Sequence, residues 1–294
     1  MRAAVVVIGS ANLDLVARVH RLAGPGETVL ANSYFEAPGG KGINQAVAAA
    51  RLGATVAFVG VVGPDAAGAT LRAVLEADHI DTSALAIGTE PTGRALISVS
   101  DGGENSIVVV SGANNELSTT HITIHGGLIA AATVVLAQLE VPQVTIREAF
   151  AVARATGATT VLNPAPAAVI DPELLALTDI LVPNEHEAAA LGGIDVLRRT
   201  GPQTLVVTQG SSGSQLLDAA GERHIMPFSV EAIDTVAAGD AFCGALCARL
   251  AAGDALIDAL RWASATGALA TTRVGAVPSL PSLGEVTALM AAQP

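Results

Sequence analysis

The chain alternates short apolar runs with longer stretches rich in alanine and leucine. The clearest apolar runs lie at residues 5–8, 55–59, 133–136, 160–162, 180–182 and 205–208. Continuous apolar runs of this length are typical of strands that are buried on both faces of a parallel sheet. The intervals between them are long enough for helices, so the pattern predicts a three-layer α/β/α sandwich with a mostly parallel central sheet.

Two polar, turn-rich stretches interrupt this pattern, at about residues 13–36 and 91–111. Within the second stretch, strand signals at 92–100 and 105–110 flank Asp101-Gly102-Gly103, which predicts a β-hairpin. We expect the two stretches to form a small β-sheet lid over one edge of the main sheet. The lid would be inserted in a single α/β domain that spans residues 1–294.

Composition narrows the class of protein. Hydrophobic residues make up 51% of the 294 residues and aromatic residues only 2%, so the core must consist mainly of alanine, valine, leucine and isoleucine. The formal net charge of −12 argues against binding to nucleic acid or to an anionic membrane, because both depend on a basic surface. The longest apolar run, residues 128–137, is too short to span a bilayer. We expect a cytoplasmic protein.

Lys41 is the only lysine of the chain and lies in Gly39-Gly40-Lys41-Gly42-Ile43-Asn44-Gln45. Flanking glycines permit close backbone approach to a ligand, and a compact ammonium group can reach a hydroxyl or an anion. The residues from 44 to 52 predict a helix whose N-terminal amides would face the same point. The segment is not a Walker A loop, since glycine follows the lysine, and it lacks the third glycine of a dinucleotide-binding fingerprint.

A second motif is Asp234-Thr235-Val236-Ala237-Ala238-Gly239-Asp240, which precedes a helix predicted over residues 241–250. Small residues before a helix leave its first N–H groups available to an anion. A carboxylate in that position can accept a proton from a hydroxyl group, while the amides stabilise charge on a phosphoryl group. The alternative is that Asp240 only caps the helix.

Further polar residues follow the predicted strands, where a doubly wound sheet binds its ligands. They are Asn12, Asp14, Glu140, Asn184, Glu187 and the segment 208–213. Each alone is compatible with a helix cap or a turn. Their shared position at the carboxyl ends of strands predicts that they converge on one edge. The carboxylates of the segment 184–187 could organise a hydrated Mg²⁺ ion there.

These motifs, in this order, resemble the ribokinase-like branch of the phosphofructokinase-B-like sugar and nucleoside kinases over essentially the whole chain. The resemblance also includes Gln138-Leu139-Glu140, Asn163-Pro164-Ala165-Pro166, Pro183-Asn184-Glu185-His186-Glu187 and the segment 272–279. It implies an α/β sandwich with a lid that pairs with the lid of a second subunit. The implied activity is ATP-dependent phosphorylation of D-ribose to D-ribose 5-phosphate, with Mg²⁺ and K⁺ as cofactors.

The resemblance also implies a role for each matching residue. Asp240 would be the general base, and the backbone of Ala237, Ala238, Gly239 and Asp240 would form the anion hole. The sugar would be held by Asn12, Asp14, Gly40, Lys41, Gly42, Asn44, Glu140 and Asp240. The nucleotide would contact Asn184, Thr208, Gln209, Gly210, Ser211, Ser212, Gly213, Gly239, Asp240 and Ser264. Glu187 would hold Mg²⁺ through water, and K⁺ would be held by Asp234, Val236, Ala270, Arg273, Gly275 and Ser279.

Three features depart from the family pattern. Residues 192–203 leave room for only a short helix, Ser212 is smaller than usual, and Cys243 replaces a polar residue after the expected base. None of them removes a group that the chemistry needs. The alternatives that remain are a kinase of deoxyribose, fructose or a nucleoside, and a non-catalytic sugar-binding protein on the same fold.

Overall fold

The apolar runs form the strands of a mixed α/β fold, and the computed structural model describes residues 4–293. The strands are β1 (Val5–Ile8), β2 (Asn12–Val19), β3 (Ala31–Gly39), β4 (Val56–Val62), β5 (Leu85–Ile87), β6 (Gly93–Ser100), β7 (Asn105–Val110), β8 (Val134–Gln138), β9 (Thr159–Asn163), β10 (Ile180–Leu181), β11 (Thr204–Thr208), β12 (Ser214–Asp218) and β13 (Gly221–Ile225).

Helices fill the intervals between most of these strands. They are α1 (Lys41–Arg51), α2 (Ala66–Ala77), α3 (Thr119–Ile124), α4 (Gly126–Ala130), α5 (Gln143–Ala155), α6 (Pro172–Ala176), α7 (Glu185–Ala190), α8 (Ile194–Thr200), α9 (Ala238–Ala251), α10 (Leu256–Ala270) and α11 (Leu283–Ala292). Within the part of the chain that the structure describes, no helix has the length and apolar character needed to cross a bilayer.

The main sheet has nine strands in the order β13-β12-β11-β10-β9-β8-β1-β4-β5. All its neighbouring pairs are parallel except β11–β12 and β12–β13, which are antiparallel. Alternate residues of β1 enter different cores: Val5 and Val7 pack with α1 and α9, whereas Val6 and Ile8 pack with α5. The predicted three-layer sandwich with a mostly parallel sheet is confirmed.

A smaller sheet of four strands has the order β3-β2-β6-β7. Its strands β6 and β7 form the predicted hairpin. The other half extends beyond the expected boundaries of 13 and 36, because β2 begins at Asn12 and pairs there with Gly39, the last residue of β3. We call this small sheet the lid. Its first half leaves the main sheet after β1 and leads into α1, so the lid adjoins the carboxyl end of β1.

Two helices begin earlier than the sequence pattern predicts. The helix expected at 44–52 begins at Lys41, and the helix expected at 241–250 begins at Ala238. In both cases a residue with positive φ precedes the first turn: Gly40 has a φ of 90° and Ala237 a φ of 59°. Glycine is a poor helix former, and a run of small residues shows no hydrophobic periodicity, so the sequence pattern does not indicate where these two helices begin. Lys41 and Asp240 therefore lie inside first helical turns.

Candidate active site

The predicted site residues meet at the carboxyl edge of the main sheet. Strands β1, β8 and β9 are neighbours in register, so the segments that follow Ile8, Gln138 and Asn163 leave the sheet side by side. The first turns of α1 and α9 face this edge, and side chains of the two helices are hydrogen-bonded there. The structure thus brings together groups that are far apart in the chain.

Asp240 is buried in the first turn of α9. Its Oδ2 accepts a hydrogen bond of 2.9 Å from Asn44 Nδ2, and its Oδ1 accepts one of 2.9 Å from Gln45 Nε2. The helix is capped by Ala237 without a side-chain hydrogen bond, so the interpretation of Asp240 as a helix cap is wrong. Asn44 keeps a buried Oδ1 for which the structure shows no hydrogen-bond partner, as expected of a group that faces a ligand site.

Glu140, two residues after β8, contacts two other residues that were expected to hold the sugar, Asn12 and Lys41. Its Oε2 accepts hydrogen bonds from Ser10 Oγ at 2.5 Å, from the Lys41 amide at 3.1 Å and from Asn12 Nδ2 at 3.5 Å. The carboxylate therefore joins the loop after β1 to the first turn of α1.

Asn12 is oriented by a residue that sequence reasoning did not select. Asn114 donates from Nδ2 to Asn12 Oδ1 at 2.7 Å, and its own Oδ1 accepts from the Ala11 amide at 2.9 Å. Both asparagines are buried. Ser10 was also missed, although its position directly after the β1 run was a usable signal. Asn114 lies four residues after the lid hairpin, and no motif or residue spacing in the sequence indicates that it contributes to the site.

Two ionisable groups at this edge, Asp14 and Lys41, both have raised pKa values. Burial, together with the negative charges of Glu140 and Asp240, raises the pKa of Asp14 to about 7, although Lys41 opposes the shift. Burial lowers the pKa of Lys41, but the carboxylates of Asp240, Glu140 and Glu187 outweigh burial and leave this pKa raised. Lys41 therefore stays protonated, and Asp14 changes charge near neutral pH.

The glycines around Lys41 are required by the fold itself. A Cβ atom on Gly40 would lie 2.8 Å from the Asn12 amide, and one on Gly42 would lie 2.4 Å from the Ser10 amide. Gly40 also has a φ of 90°, a conformation that other residues rarely adopt. These glycines let the first turn of α1 pack directly on the loop after β1, which places the Lys41 amide on Glu140.

The start of α9 offers backbone donors. Its first turn contains Ala238, Gly239 and Asp240, and first-turn N–H groups have no acceptor within a helix. The Ala238 amide makes a 3.3 Å hydrogen bond to the Thr235 carbonyl. A Cβ atom on Gly239 would meet nothing within 4 Å, so no other part of the protein covers this turn on the side of Gly239. The arrangement suits an anion.

Asn184 and Glu187 form a capping box at the start of α7. Asn184 Oδ1 accepts from the Glu187 amide at 2.8 Å, and Glu187 Oε2 accepts from the Asn184 amide at 2.9 Å. Burial raises the pKa of Glu187, and the hydrogen bond from Asn184 and the charge of Lys41 act against this. Among residues 4–293, no three His, Cys, Asp or Glu side chains cluster so as to hold a metal ion by themselves.

The segment predicted to wrap a nucleotide is a tight loop after β11. The Gln209 amide donates to the Gly213 carbonyl at 2.8 Å, and Gly210 to Ser212 form a single 3₁₀ turn whose residues are exposed. Thr208 forms a parallel bridge to Asn184, so this loop adjoins the start of α7. The predicted short helix in residues 192–203 is α8, of seven residues.

A cavity of about 480 Å³ lies beside this loop. Its lining includes His224, Met226, Phe228, Ile257 and Arg261. His224 Nε2 lies 2.7 Å from the Ser212 carbonyl oxygen. Ser264 is one turn beyond Arg261 on α10, and its side chain is buried. The cavity is therefore lined by β13, the segment after it and α10, and it adjoins the loop through the contact between His224 and Ser212, whereas Ser264 is not among its lining residues.

The residues predicted to hold K⁺ come from two segments that the structure joins. Asp234 Oδ2 accepts from the Gly275 amide at 2.9 Å, and its Oδ1 accepts from the Val236 amide at 3.1 Å. Ala270 and Ser279, at the two ends of the second segment, are fully buried, whereas Arg273 forms an ion pair with Glu285 near the surface. The Asp234 segment leads directly into the first turn of α9.

Comparison with known proteins places this geometry in a family. The family model described as pfkB family carbohydrate kinase matches residues 2–283. The chain is 40% identical to the ribokinase of Haemophilus influenzae over an alignment of 298 residues, which covers 97% of each protein. Among solved structures, the ribokinase of Thermotoga maritima is 33% identical, with a TM-score of 0.91 and coverage of 98% of this chain and 99% of that one.

A second solved structure is described as Arabidopsis thaliana ribokinase complexed with ribose and ATP. It is 30% identical to this chain, has a TM-score of 0.89 and covers 99% of both chains. The resemblance drawn from the motifs is confirmed by these matches over nearly the whole length. The chain belongs to the pfkB family of carbohydrate kinases.

Proposed function

We propose that this protein transfers the γ-phosphoryl group of ATP to the primary hydroxyl of D-ribose, giving D-ribose 5-phosphate and ADP. The observation that carries the proposal is the buried carboxylate of Asp240 in the first turn of α9, held by the side chains of Asn44 and Gln45. The similarity to ribokinases over the full chain, one of them described in complex with ribose and ATP, supports the same reaction.

The sugar would occupy the space bordered by Asp14, Lys41, Glu140 and Asp240. A polyol needs fixed acceptors and donors, and this edge of the sheet provides carboxylate oxygens, amide groups and an ammonium group. The unpartnered Oδ1 of Asn44 is a further acceptor for a hydroxyl group. Asn12, Gly40 and Gly42 complete the proposed sugar site. A site of this kind penalises analogues that leave its buried polar groups unpaired.

In the proposed reaction Asp240 accepts the proton of the sugar hydroxyl as its oxygen attacks the γ-phosphorus. The new oxygen–phosphorus bond forms while the bond from the γ-phosphorus to the bridging oxygen breaks, and ADP leaves. The backbone amides of residues 237–240 would stabilise the charge on the phosphoryl oxygens. Because phosphoryl transfer depends mainly on positioning and charge neutralisation, a pre-formed helix start is well suited to it.

The residues present fit magnesium that arrives on the nucleotide and keeps several of its waters, because no all-protein cluster of ligands occurs in the described residues. Asn184 and Glu187 would hold it through water. The ion supplies charge neutralisation on the phosphates. The segment 208–213, Ser264 and the neighbouring cavity would contact the nucleotide.

A monovalent cation, K⁺ by family resemblance, would lie between the segment 234–236 and the segment 270–279. The proposed ligands are Asp234, Val236, Ala270, Arg273, Gly275 and Ser279, mostly through backbone oxygens. The hydrogen bond between Asp234 and the Gly275 amide supports this placement, since it holds the two segments together. The cation would act by shaping the neighbouring anion hole.

We also propose a homodimer formed through the lid. Strand β7 is an edge strand of the lid, and Ile107, Val108, Val109 and Val110 are each about half exposed. An apolar edge strand of this kind readily pairs with another chain.

The proposed function is tested by measuring ADP release with ATP and Mg²⁺ for ribose, deoxyribose, fructose and adenosine, in K⁺ or Na⁺. We expect a preference for ribose and stimulation by K⁺. Turnover of another compound on the panel would overturn the ribose assignment and keep the mechanism. Tight ribose binding without any turnover would instead indicate a non-catalytic binding protein.

The role of Asp240 is tested by Asp240→Asn, which removes the base and keeps the shape of the side chain. We expect turnover to fall roughly 10²- to 10⁴-fold, while ribose binding measured by calorimetry stays close to that of the parent protein. Turnover at the parental rate would exclude Asp240 as the general base.

A further inference from the structure

A chain of buried side-chain amides runs from the main sheet to Asp240. Gln45 Nε2 donates to Asp240 Oδ1 at 2.9 Å and to Asn163 Oδ1 at 3.0 Å. Gln45 Oε1 accepts from Gln138 Nε2 at 2.6 Å. Asn163 Nδ2 in turn donates to the Val182 carbonyl at 2.8 Å.

The orientation of each amide in this chain follows from its neighbours. A carboxylate only accepts hydrogen bonds when ionised, so Gln45 must turn its Nε2 toward Asp240 and its Oε1 toward Gln138. The Val182 carbonyl also only accepts, so Asn163 must turn its Nδ2 toward it and present Oδ1 to Gln45. Strands β8 and β9 and the residue that follows β10 therefore fix the direction in which Gln45 donates.

This network of amides is buried and lies beside the apolar core formed by α1. Gln45, Gln138 and Asn163 are buried, and the residues that follow Gln45 on α1 are alanine and valine. Burying amide groups costs free energy, and apolar side chains of similar size would serve packing alone equally well. The one charged group that Gln45 reaches is Asp240. If the network of amides served only to stabilise the fold, the hydrogen bond from Gln45 to Asp240 would have no explanation.

We propose that Gln45 is a positioning residue for phosphoryl transfer, which holds Oδ1 of Asp240 so that the carboxylate presents its other oxygen to the sugar hydroxyl. Gln138 and Asn163 act through Gln45 by fixing its amide. This inference rests on the proposed role of Asp240 as general base. It assigns no contact between Gln45 and the substrates.

The test compares Gln45→Met, which keeps the length of the side chain and removes its hydrogen bonds, with the parent protein. We expect kcat for ribose to fall roughly 10- to 100-fold, the size expected for one hydrogen bond to a charged group. The KM for ribose should stay within about threefold, because the change affects the transition state more than binding. The acidic limb of the kcat profile should move to higher pH, since Asp240 loses a donor that favours its ionised form.

Gln45→Glu places a second carboxyl group next to Asp240, so the two groups titrate as a coupled pair and one of them retains a proton. The acidic limb should then lie at higher pH than in Gln45→Met. Gln138→Met removes only the bond that orients the Gln45 amide, and it should change kcat and the pH profile in the same direction by smaller factors. If Gln45→Met does not fold, Gln138→Met tests the positioning role of Gln45 in its place.

Thr145→Val is the matched control, because Thr145 is fully buried outside the site and its hydroxyl donates one hydrogen bond, to the Leu117 carbonyl. It should lower Tm without moving the pH profile. An unchanged kcat and pH profile in Gln45→Met would overturn the positioning role. The same holds if Thr145→Val lowers Tm by the same amount as Gln45→Met and lowers kcat equally, because the loss of kcat would then follow from lower stability alone. Full turnover in Asp240→Asn would instead overturn the general-base role on which this inference rests, and absence of ribose turnover in the parent protein would overturn the proposed function itself.

Discussion

At Asp14, burial and two neighbouring carboxylates act against the ionised side chain. Its pKa of about 7 lies well above the ordinary value of 3.8, and the positive charge of Lys41 opposes this rise only in part. The native protein therefore retains a proton on Asp14 between about pH 4 and pH 7, where the unfolded chain has lost it. Folding stability from this group consequently falls as the pH rises through that window. Ionised Asp14 destabilises the unliganded protein at pH 8.

We therefore predict that Asp14→Asn raises the Tm of the unliganded protein at pH 8, by roughly 4–8 °C, and much less at pH 5. The rise in the pKa of Asp14 from 3.8 to about 7 corresponds to a destabilisation of ~4 kcal/mol by the ionised side chain. Water that reaches the partly exposed side chain reduces this destabilisation to about half. Thermal unfolding at the two pH values measures the effect. Glu104→Gln, in the exposed turn of the lid hairpin, is the control and should leave Tm unchanged at both. An equal rise at pH 5 and pH 8 would contradict the proposed charge burial.

Among the elements, α1 and α9 approach each other closely, and their facing side chains are mostly alanine. Gly244 permits this approach: a Cβ atom there would lie 2.4 Å from the Gln45 carbonyl oxygen and 2.6 Å from the Ala48 Cβ. The same approach brings Asn44 and Gln45 within hydrogen-bond distance of Asp240. The packing of two helices thus determines the surroundings of the carboxylate.

We predict that Gly244→Ala destabilises the protein by about 1–3 kcal/mol, because the helices must separate to accept the methyl group. Turnover should fall as well, since separation lengthens the two hydrogen bonds to Asp240. Denaturant unfolding and ADP release measure the two effects. Gly127→Ala is the matched control, because a Cβ atom on Gly127 meets nothing within 4 Å, and it should be neutral or slightly stabilising. Parental stability in Gly244→Ala would show that α1 and α9 can separate without cost.

For the whole molecule, the register of the lid connects the site with the edge strand β7. Strand β2 pairs with β6 so that Asp14 lies beside Ala95, and Ala95 lies beside Val109 of β7. Residues opposite each other in neighbouring strands share one face of a sheet. The lid therefore continues from the charged residues of the site to an apolar edge strand. A second copy of the chain, paired at that edge, would be separated by β6 and β7 from Asp14 of the proposed sugar site.

We predict that the protein forms dimers and that Val108→Glu weakens them at least about tenfold, because like charges would meet across the pairing edges. Light scattering over a range of protein concentrations measures the mass. Val169→Glu, at a position 90% exposed and outside the lid, should behave as the parent does. A monomeric parent protein at all concentrations would exclude the lid dimer.

Much of this architecture was predictable from local pattern. The apolar runs at 5–8, 160–162 and 205–208 lie within β1, β9 and β11. The lid hairpin was marked by Asp101-Gly102-Gly103 between two strand signals. Such signals depend on neighbours in the sequence, through strand burial and turn geometry, so they can be read without the fold.

The contacts of the site were not accessible in the same way. Gln45 and Asp240 are 195 residues apart, and Asn12 and Asn114 are 102 residues apart. Their partners depend on the order of the strands, in which β1 lies between β8 and β4. Nothing in a local pattern specifies that order or the close packing of α1 on α9.

The sequence by itself therefore determined the fold class, the small sheet and the polar residues at strand ends, because burial and turn formation act over a few residues. Only the tertiary structure decided which amide meets which carboxylate, where α1 and α9 begin, and which charges share one low-dielectric space. These depend on the packing of distant segments, where a hydrogen bond or a shift in pKa arises only once the chain has brought both groups within a few ångströms of each other.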